Sequence, residues 1–146
     1  MEYNIVEMTP EHIPQIALLE KECFSLPWSE NALSEEIDNE NSHFLGAYSE
    51  KVLGYIGVQE ICGEAYITNI AVFNDYRKLG IGRKLLKTAI CNAELRNCDF
   101  ITLEVRESNQ SAIFLYESEE FENAGIRKNF YTDPIENGII YTKYFK

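Results

Sequence analysis

The stretch Arg77-Lys78-Leu79-Gly80-Ile81-Gly82-Arg83 has the residue types and spacing that point most directly to chemistry. Two glycines allow the backbone to come close to a ligand. A helix starting there offers unpaired N–H groups and the positive end of its dipole to an anion. Arg77, Lys78, Arg83 and Lys84 place four cations around that point in a chain that is otherwise acidic. The expected ligand carries phosphate. A P-loop would need four residues between its glycines and then Lys-Ser/Thr, and this stretch lacks that pattern. A dinucleotide fingerprint would need a third glycine where Leu85 stands. A second chemical feature is Glu104, an isolated carboxylate in the otherwise strand-like run Phe100–Arg106. Strand alternation puts Thr102, Glu104 and Arg106 on one face, away from Leu103 and Val105. On the residues alone Glu104 is either a proton acceptor or a solvated or salt-bridged side chain.

These residues need elements to position them. Tyr66–Phe73 mixes β-branched and aromatic residues and reads as a strand leading into the glycine turn. After the turn, Leu85, Leu86, Ala89, Ile90 and Ala93 recur at helical spacing. Upstream, Asn4–Val6 reads as a short strand. Thr9 and Pro10 start a helix carrying Ile13, Ile16, Ala17 and Leu19/Glu20 roughly to Cys23. Ser29 caps a second helix with Ala32, Leu33 and Ile37, and residues 43–48 and 52–61 form two strands around the turn Ser49-Glu50-Lys51. Ser108-Asn109 opens a further helix with Ala112, Ile113, Leu115 and Tyr116, before two final strands at about 122–130 and 138–145. The expected order is β-α-α-β-β-β-α-β-α-β-β.

The turn fits Q/R-x-x-G-x-G/A, and with its neighbours it resembles the pyrophosphate loop of the GNAT acetyltransferases. Four segments carry the resemblance: Phe24-Ser25-Leu26-Pro27-Trp28-Ser29, Thr68–Val72, Leu103–Asn109 with Leu115-Tyr116-Glu117, and Gly125–Tyr131 followed by Pro134 and Glu136. They are similar to the branch of that family that acetylates the N-terminal alanine of a small-subunit ribosomal protein. The resemblance implies one α/β domain over residues 1–146, built on a mixed, mostly antiparallel sheet of about seven strands flanked by about four helices. It implies acetyl-CoA as co-substrate, held by Ile70, Ala71, Val72, Arg77, Lys78, Leu79, Gly80, Ile81, Gly82, Arg83 and Asn109. It also implies Glu104 as base through water, Tyr116 as acid, an oxyanion donor near Val72, and acceptor contacts from Phe24, Pro27, Trp28, Glu104 and Tyr131. Each has a plainer alternative: Asn109 a helix cap, Tyr116 a core aromatic, Trp28 packing of the helix pair, Tyr131 an ordinary strand residue. Where the family has a glycine after Leu-Tyr-x-x-x, this chain has Glu120. A side chain there meets the left-handed backbone that ends a helix.

Acyl transfer from a thioester to an amine needs a neutral amine, a stabilised oxyanion and protonation of the departing thiolate. A protein α-amine titrates at about 7.7–8.0, so about a tenth or more is neutral at pH 7, whereas lysine at about 10.4 is far less available. An N-terminus therefore makes the smaller demand on the base. Acetylation of a protein lysine or of a small-molecule amine is the alternative activity, and a non-catalytic acyl-CoA-binding module is a reading from another class.

Thirteen basic residues against 24 acidic ones give a net charge of −11. Such a surface repels nucleic acid and suits a basic protein or peptide N-terminus. With 146 residues, 45% of them hydrophobic, the chain can bury a sizeable core. No apolar run approaches a membrane span, and Met1-Glu2-Tyr3-Asn4 lacks the apolar core of a signal peptide, so a cytoplasmic setting without membrane contact is expected. Cys23, Cys62, Cys91 and Cys98 lack metal-ligand spacing, so no metal is expected, and they read as reduced, mostly buried thiols. His12 and His43 receive no role.

Overall fold

A computed structural model describes residues 2–146; Met1, the first residue of the N-terminal stretch, lies outside them. Strands β1 (Asn4–Glu7), β2 (Ser42–Tyr48), β3 (Val52–Ile61), β4 (Glu64–Val72), β5 (Phe100–Arg106), β6 (Glu122–Thr132) and β7 (Ile135–Tyr144) form one sheet in the order β1-β2-β3-β4-β5-β7-β6. Helices α1 (Ile13–Cys23), α2 (Glu30–Asp38), α3 (Ile81–Leu95) and α4 (Gln110–Ser118) complete the chain order expected from the sequence. Every strand pair is antiparallel except β4–β5.

The apolar side chains divide between the two faces. One core packs Leu85, Leu86, Ala89 and Ala93 of α3 and Ile113 and Tyr116 of α4 against Ile101, Leu103 and Val105 of β5. The other packs Ile13, Ile16 and Leu19 of α1 and Leu33 of α2 against Phe44, Val52 and Tyr55. Ser29 caps α2 by accepting from the Ala32 N–H at 3.1 Å. The start of α1 differs from expectation: Pro10–His12 is a 3₁₀ turn, and the helix proper begins at Ile13. His12 helps to make that start, its Nδ1 accepting from the Thr9 N–H at 3.0 Å.

Two irregularities of the sheet open a gap in it. The parallel β4–β5 pairing covers only Glu64–Tyr66 against Phe100–Thr102, so the two strands part beyond Tyr66. Just beyond that point β4 carries a bulge: Gly57 opposes Asn69 and Val58 opposes Ile67, leaving Thr68 as the extra residue. The final hairpin is longer than expected, its strands running to Thr132 and from Ile135 around Asp133-Pro134. The expectation of mostly buried cysteines needs correction. Cys98 is buried and Cys23 partly so, but Cys62 and Cys91 are exposed. Cys62 lies in the β3–β4 turn with φ 52°, and Cys91 lies on the outer side of α3, between the core residues Ile90 and Ala93.

Candidate active site

Beyond Tyr66, β4 has β3 on one side and no strand on the other. The Phe73 N–H donates to the Leu53 carbonyl, and antiparallel alternation then turns the polar groups of Val72 and Ile70 away from β3. The Val72 carbonyl is taken by Arg77 Nε at 3.1 Å and Cys23 Sγ at 3.5 Å. The N–H groups of Ile70 and Val72 therefore face the gap where β4 and β5 separate.

Two cavities open on this gap. One, of about 760 Å³, is bordered by Ile70, Ala71, Val72, the turn from Arg77 to Arg83 and the start of α4. Gly80 sits at the head of α3 with φ 79°, a backbone that glycine adopts without strain. A Cβ added to Gly82 would stand 3.9 Å from Val72 Cγ2, on the strand side of the turn. The turn's cations are partly committed elsewhere. Arg83 donates to Ser118 Oγ at 2.9 Å and pairs with Glu119, while Arg77 folds back onto Val72 and Cys23. Leu79, expected at the coenzyme, is exposed and stands outside the lining.

The other cavity, of about 380 Å³, is bordered by Glu20 of α1, Thr68 and Asn69 of the bulge, Glu104 and Arg106 of β5, and Phe130 and Tyr131 of β6. Cys23, Phe24, Ile70, Asn109 and Tyr116 border both cavities. Tyr116 is 4% exposed, and burial, seconded by the nearby Tyr131, pushes its phenol well above the ordinary range. Burial and then the Glu104 charge push Tyr131 up to about 12, against the partial opposition of Arg106. Arg106 lies over the Tyr131 ring, 4.4 Å from its centroid, and donates to the carbonyls of Pro134 and Asp133. Its pairing with Glu136, at 3.1 Å, ties the hairpin turn to β5. Glu136 also accepts from the Ser108 N–H at 2.7 Å, and these bonds hold its carboxyl below the usual range.

Glu104 is not isolated in space: Arg127 Nε of β6 lies 3.2 Å from its Oε1. The salt-bridged alternative thus describes its contact, while its place in the cavity wall leaves it open to a ligand. Asn109 caps α4, accepting from the Ala112 N–H at 3.2 Å, and borders both cavities as well. Pro27 and Trp28 stand outside both linings, and Trp28 packs against the α1–α2 core.

Glu20 is the site residue that sequence reasoning passed over. It is fully buried and accepts from the Trp28 N–H (2.9 Å), the Tyr55 hydroxyl (2.6 Å) and Asn69 Nδ2 (2.9 Å). One carboxylate thus joins the α1–α2 loop, β3 and the β4 bulge. Burial, then the Glu20 charge, drives the Tyr55 phenol far above its ordinary value. A signal was present: Glu20 falls on the apolar stripe of its helix, where a carboxylate needs a reason.

A sheet parted beside a basic glycine turn, with a second chamber behind the parting, can seat a phosphate-bearing donor and an acceptor against one another. Residues 13–121 match the model of the Acetyltransferase (GNAT) family, and the chain belongs to that family. It is 37% identical over 139 residues to the [ribosomal protein bS18]-alanine N-acetyltransferase of Escherichia coli K12, covering 94% of each chain. It is 33% identical over 135 residues to a Bacillus subtilis protein described as a putative enzyme of the same name, covering 91% of this chain and 89% of that one. The crystal structure of the E. coli ribosomal-protein-S18-alanine N-acetyltransferase superimposes with a TM-score of 0.92 at 33% identity, covering 99% of this chain and 95% of that one. The chain is therefore an acetyltransferase, and the donor in its family is acetyl-CoA. Among the described residues no group of three or more His, Cys, Asp or Glu side chains could hold a metal ion, and no helix is long and apolar enough to cross a membrane.

Proposed function

We propose that this chain acetylates the N-terminal α-amine of a protein in the cytoplasm, with the alanine N-terminus of ribosomal protein bS18 as its acceptor. The observation that carries the reading is the meeting of the two cavities at Tyr116 and Asn109, one bordered by the basic turn and the other by Glu20 and Glu104. The identity to the E. coli enzyme along nearly the whole chain supports the choice of acceptor.

In the transfer, the amine nitrogen bonds to the acetyl carbonyl carbon, the carbon–sulfur bond breaks, and the amine loses a proton while the thiolate gains one. Residues Ala71, Val72, Arg77, Lys78, Gly80, Ile81 and Gly82 hold the donor, the head of α3 facing its phosphates with backbone N–H groups. The N–H groups of Ile70 and Val72 face the gap where the oxyanion develops. Glu104 takes the amine proton through water, and because an α-amine titrates at about 7.7–8.0 the demand on the base is modest. Tyr116, kept protonated by its burial, donates to the departing sulfur. Phe24 and Tyr131 flank the acceptor's first residues, Asn109 contacts the donor's arm, and Pro27 and Trp28 act by shaping the loop above Glu20.

The test offers acetyl-CoA with two peptides and maps the modified atom by mass spectrometry. One peptide begins with alanine followed by basic and aromatic residues; the other has a blocked N-terminus and carries a lysine. Acetylation of the free α-amine alone is the expected result. Acetylation of the lysine alone, or of neither, overturns the reading.

A further inference from the structure

Helices α1 and α2 cover β2, β3 and β4 on the Glu104 face of the sheet. Where that cover ends, a strip of sheet carries Tyr66, Phe100 and Tyr144 side by side. Tyr66 and Phe100 meet edge to face with centroids 6.4 Å apart, and Phe100 and Tyr144 do so at 6.0 Å. Tyr66 is 38% exposed and Tyr144 61%. Their face is fixed by register: Phe100 opposes Tyr144, Tyr66 opposes Thr102, and Phe100, Thr102 and Glu104 alternate onto one side of β5. The strip is rimmed by acid. Glu64 accepts from the Tyr66 hydroxyl at 3.1 Å, and Glu122 of β6 opposes Thr142 on the same side. Two cations near it are already engaged, Arg127 by Glu104 and Lys146 by Asp99 at 3.4 Å.

We propose that this strip docks a basic segment of the acceptor protein downstream of its N-terminus, an inference that rests on the function proposed for the chain. Exposed aromatic faces bordered by carboxylates suit lysine and arginine, which gain ring contact and charge contact together. The net charge of −11 favours the same partner. Continuity with the acceptor cavity gives the path: Phe100 lies four residue steps from Glu104 along β5, about 13 Å of strand. An acceptor whose first residue sits at Glu104 therefore reaches the strip with about its fourth or fifth extended residue. Short N-terminal peptides fill the cavity, whereas the whole acceptor protein also fills the strip.

The experiment uses ribosomal protein bS18 and a peptide of its first three residues, too short to reach the strip, as separate probes. Two double variants remove the aromatic faces (Tyr66→Ala with Tyr144→Ala) or reverse the rim (Glu64→Lys with Glu122→Lys). Binding of labelled bS18 is measured by anisotropy, turnover of the peptide by mass, and folding by thermal melting. The expected result is a loss of bS18 affinity of about tenfold in each variant, with peptide turnover at the unmutated level. Unchanged bS18 affinity in both variants, or no binding of bS18 to the unmutated protein, overturns the proposal. Loss of self-association in the variants with bS18 binding intact also overturns it and gives the strip to a second copy of the chain. Failure of the unmutated protein to acetylate the peptide would sink the proposed function, while the affinity comparison would still decide the surface.

Discussion

The site joins side chains with opposite requirements for water. Tyr116 is buried and retains its proton; Glu104 is partly open and faces a cation. Replacing Tyr116 with Phe removes one hydroxyl from a wall shared by both cavities. The expected result is a fall in kcat of about ten- to a hundredfold at nearly unchanged KM for acetyl-CoA, read from steady-state rates on an N-terminal peptide. Glu104→Gln should lower kcat by about a hundredfold or more, and should cost less at pH 9, where more α-amine is already neutral. A loss that stays constant from pH 7 to 9 would remove Glu104 from the proton path. The place of Glu104 in the cavity wall was legible in the sequence, because an acid among apolar strand neighbours is conspicuous, whereas Tyr116 stood out from the other tyrosines only through the family resemblance. The Arg127 contact was not legible, since it depends on the β6–β7 and β5–β7 registers, which no local pattern fixes. Glu20 was half legible: its helical position was plain, but its three donors come from three separate elements.

At the scale of elements, the clearest test lies at the end of α4. Glu120 has φ 70°, in the left-handed region where the family's glycine was expected, and the Phe121 N–H donates to the Tyr116 carbonyl across that turn. Its side chain gains only an exposed contact of 3.6 Å with Lys143. Such a pair is worth little. Glu120→Gly should therefore stabilise the protein by about 1 kcal/mol, or raise Tm by about 2–4 °C in a thermal melt. The sequence announced this position through the mismatch itself. It announced the order of the elements along the chain equally well, because β-branched runs and helical spacing are local properties. It did not reveal where Trp28 goes, since a loop residue after a proline can face a ligand or a core at equal local cost. Arg106 gives a second test at this scale. Arg106→Met should raise KM for the acceptor peptide several-fold more than it lowers kcat, because it frees the β6–β7 turn that carries Tyr131.

For the whole molecule, buried phenols set the response to alkali. Tyr131 is pushed up to about 12, and Tyr55 and Tyr116 lie higher still. Unfolding returns each to about 10, so above that pH the unfolded chain releases protons that the folded chain retains. Stability from these groups is full below pH 10 and falls as pH rises towards 12; the midpoint of urea unfolding should be clearly lower at pH 11 than at pH 9. On the acid side Glu60 acts in the opposite sense. Burial resists its ionisation, but Arg96 at the end of α3 outweighs this and holds the carboxyl below the usual range. Its contribution is present above about pH 4.5 and is lost as pH falls below that.

The walls shared by the two cavities have a kinetic consequence. In the proposed reaction coenzyme and acceptor reach Tyr116 and Asn109 from separate cavities, so neither must leave before the other arrives. The enzyme should therefore turn over only with both on board. Double-reciprocal plots against one substrate, at several fixed levels of the other, should then intersect. Parallel lines would mean that an acetyl group waits on the protein between visits, and Cys23, whose thiol borders both chambers, would be the place to look for it.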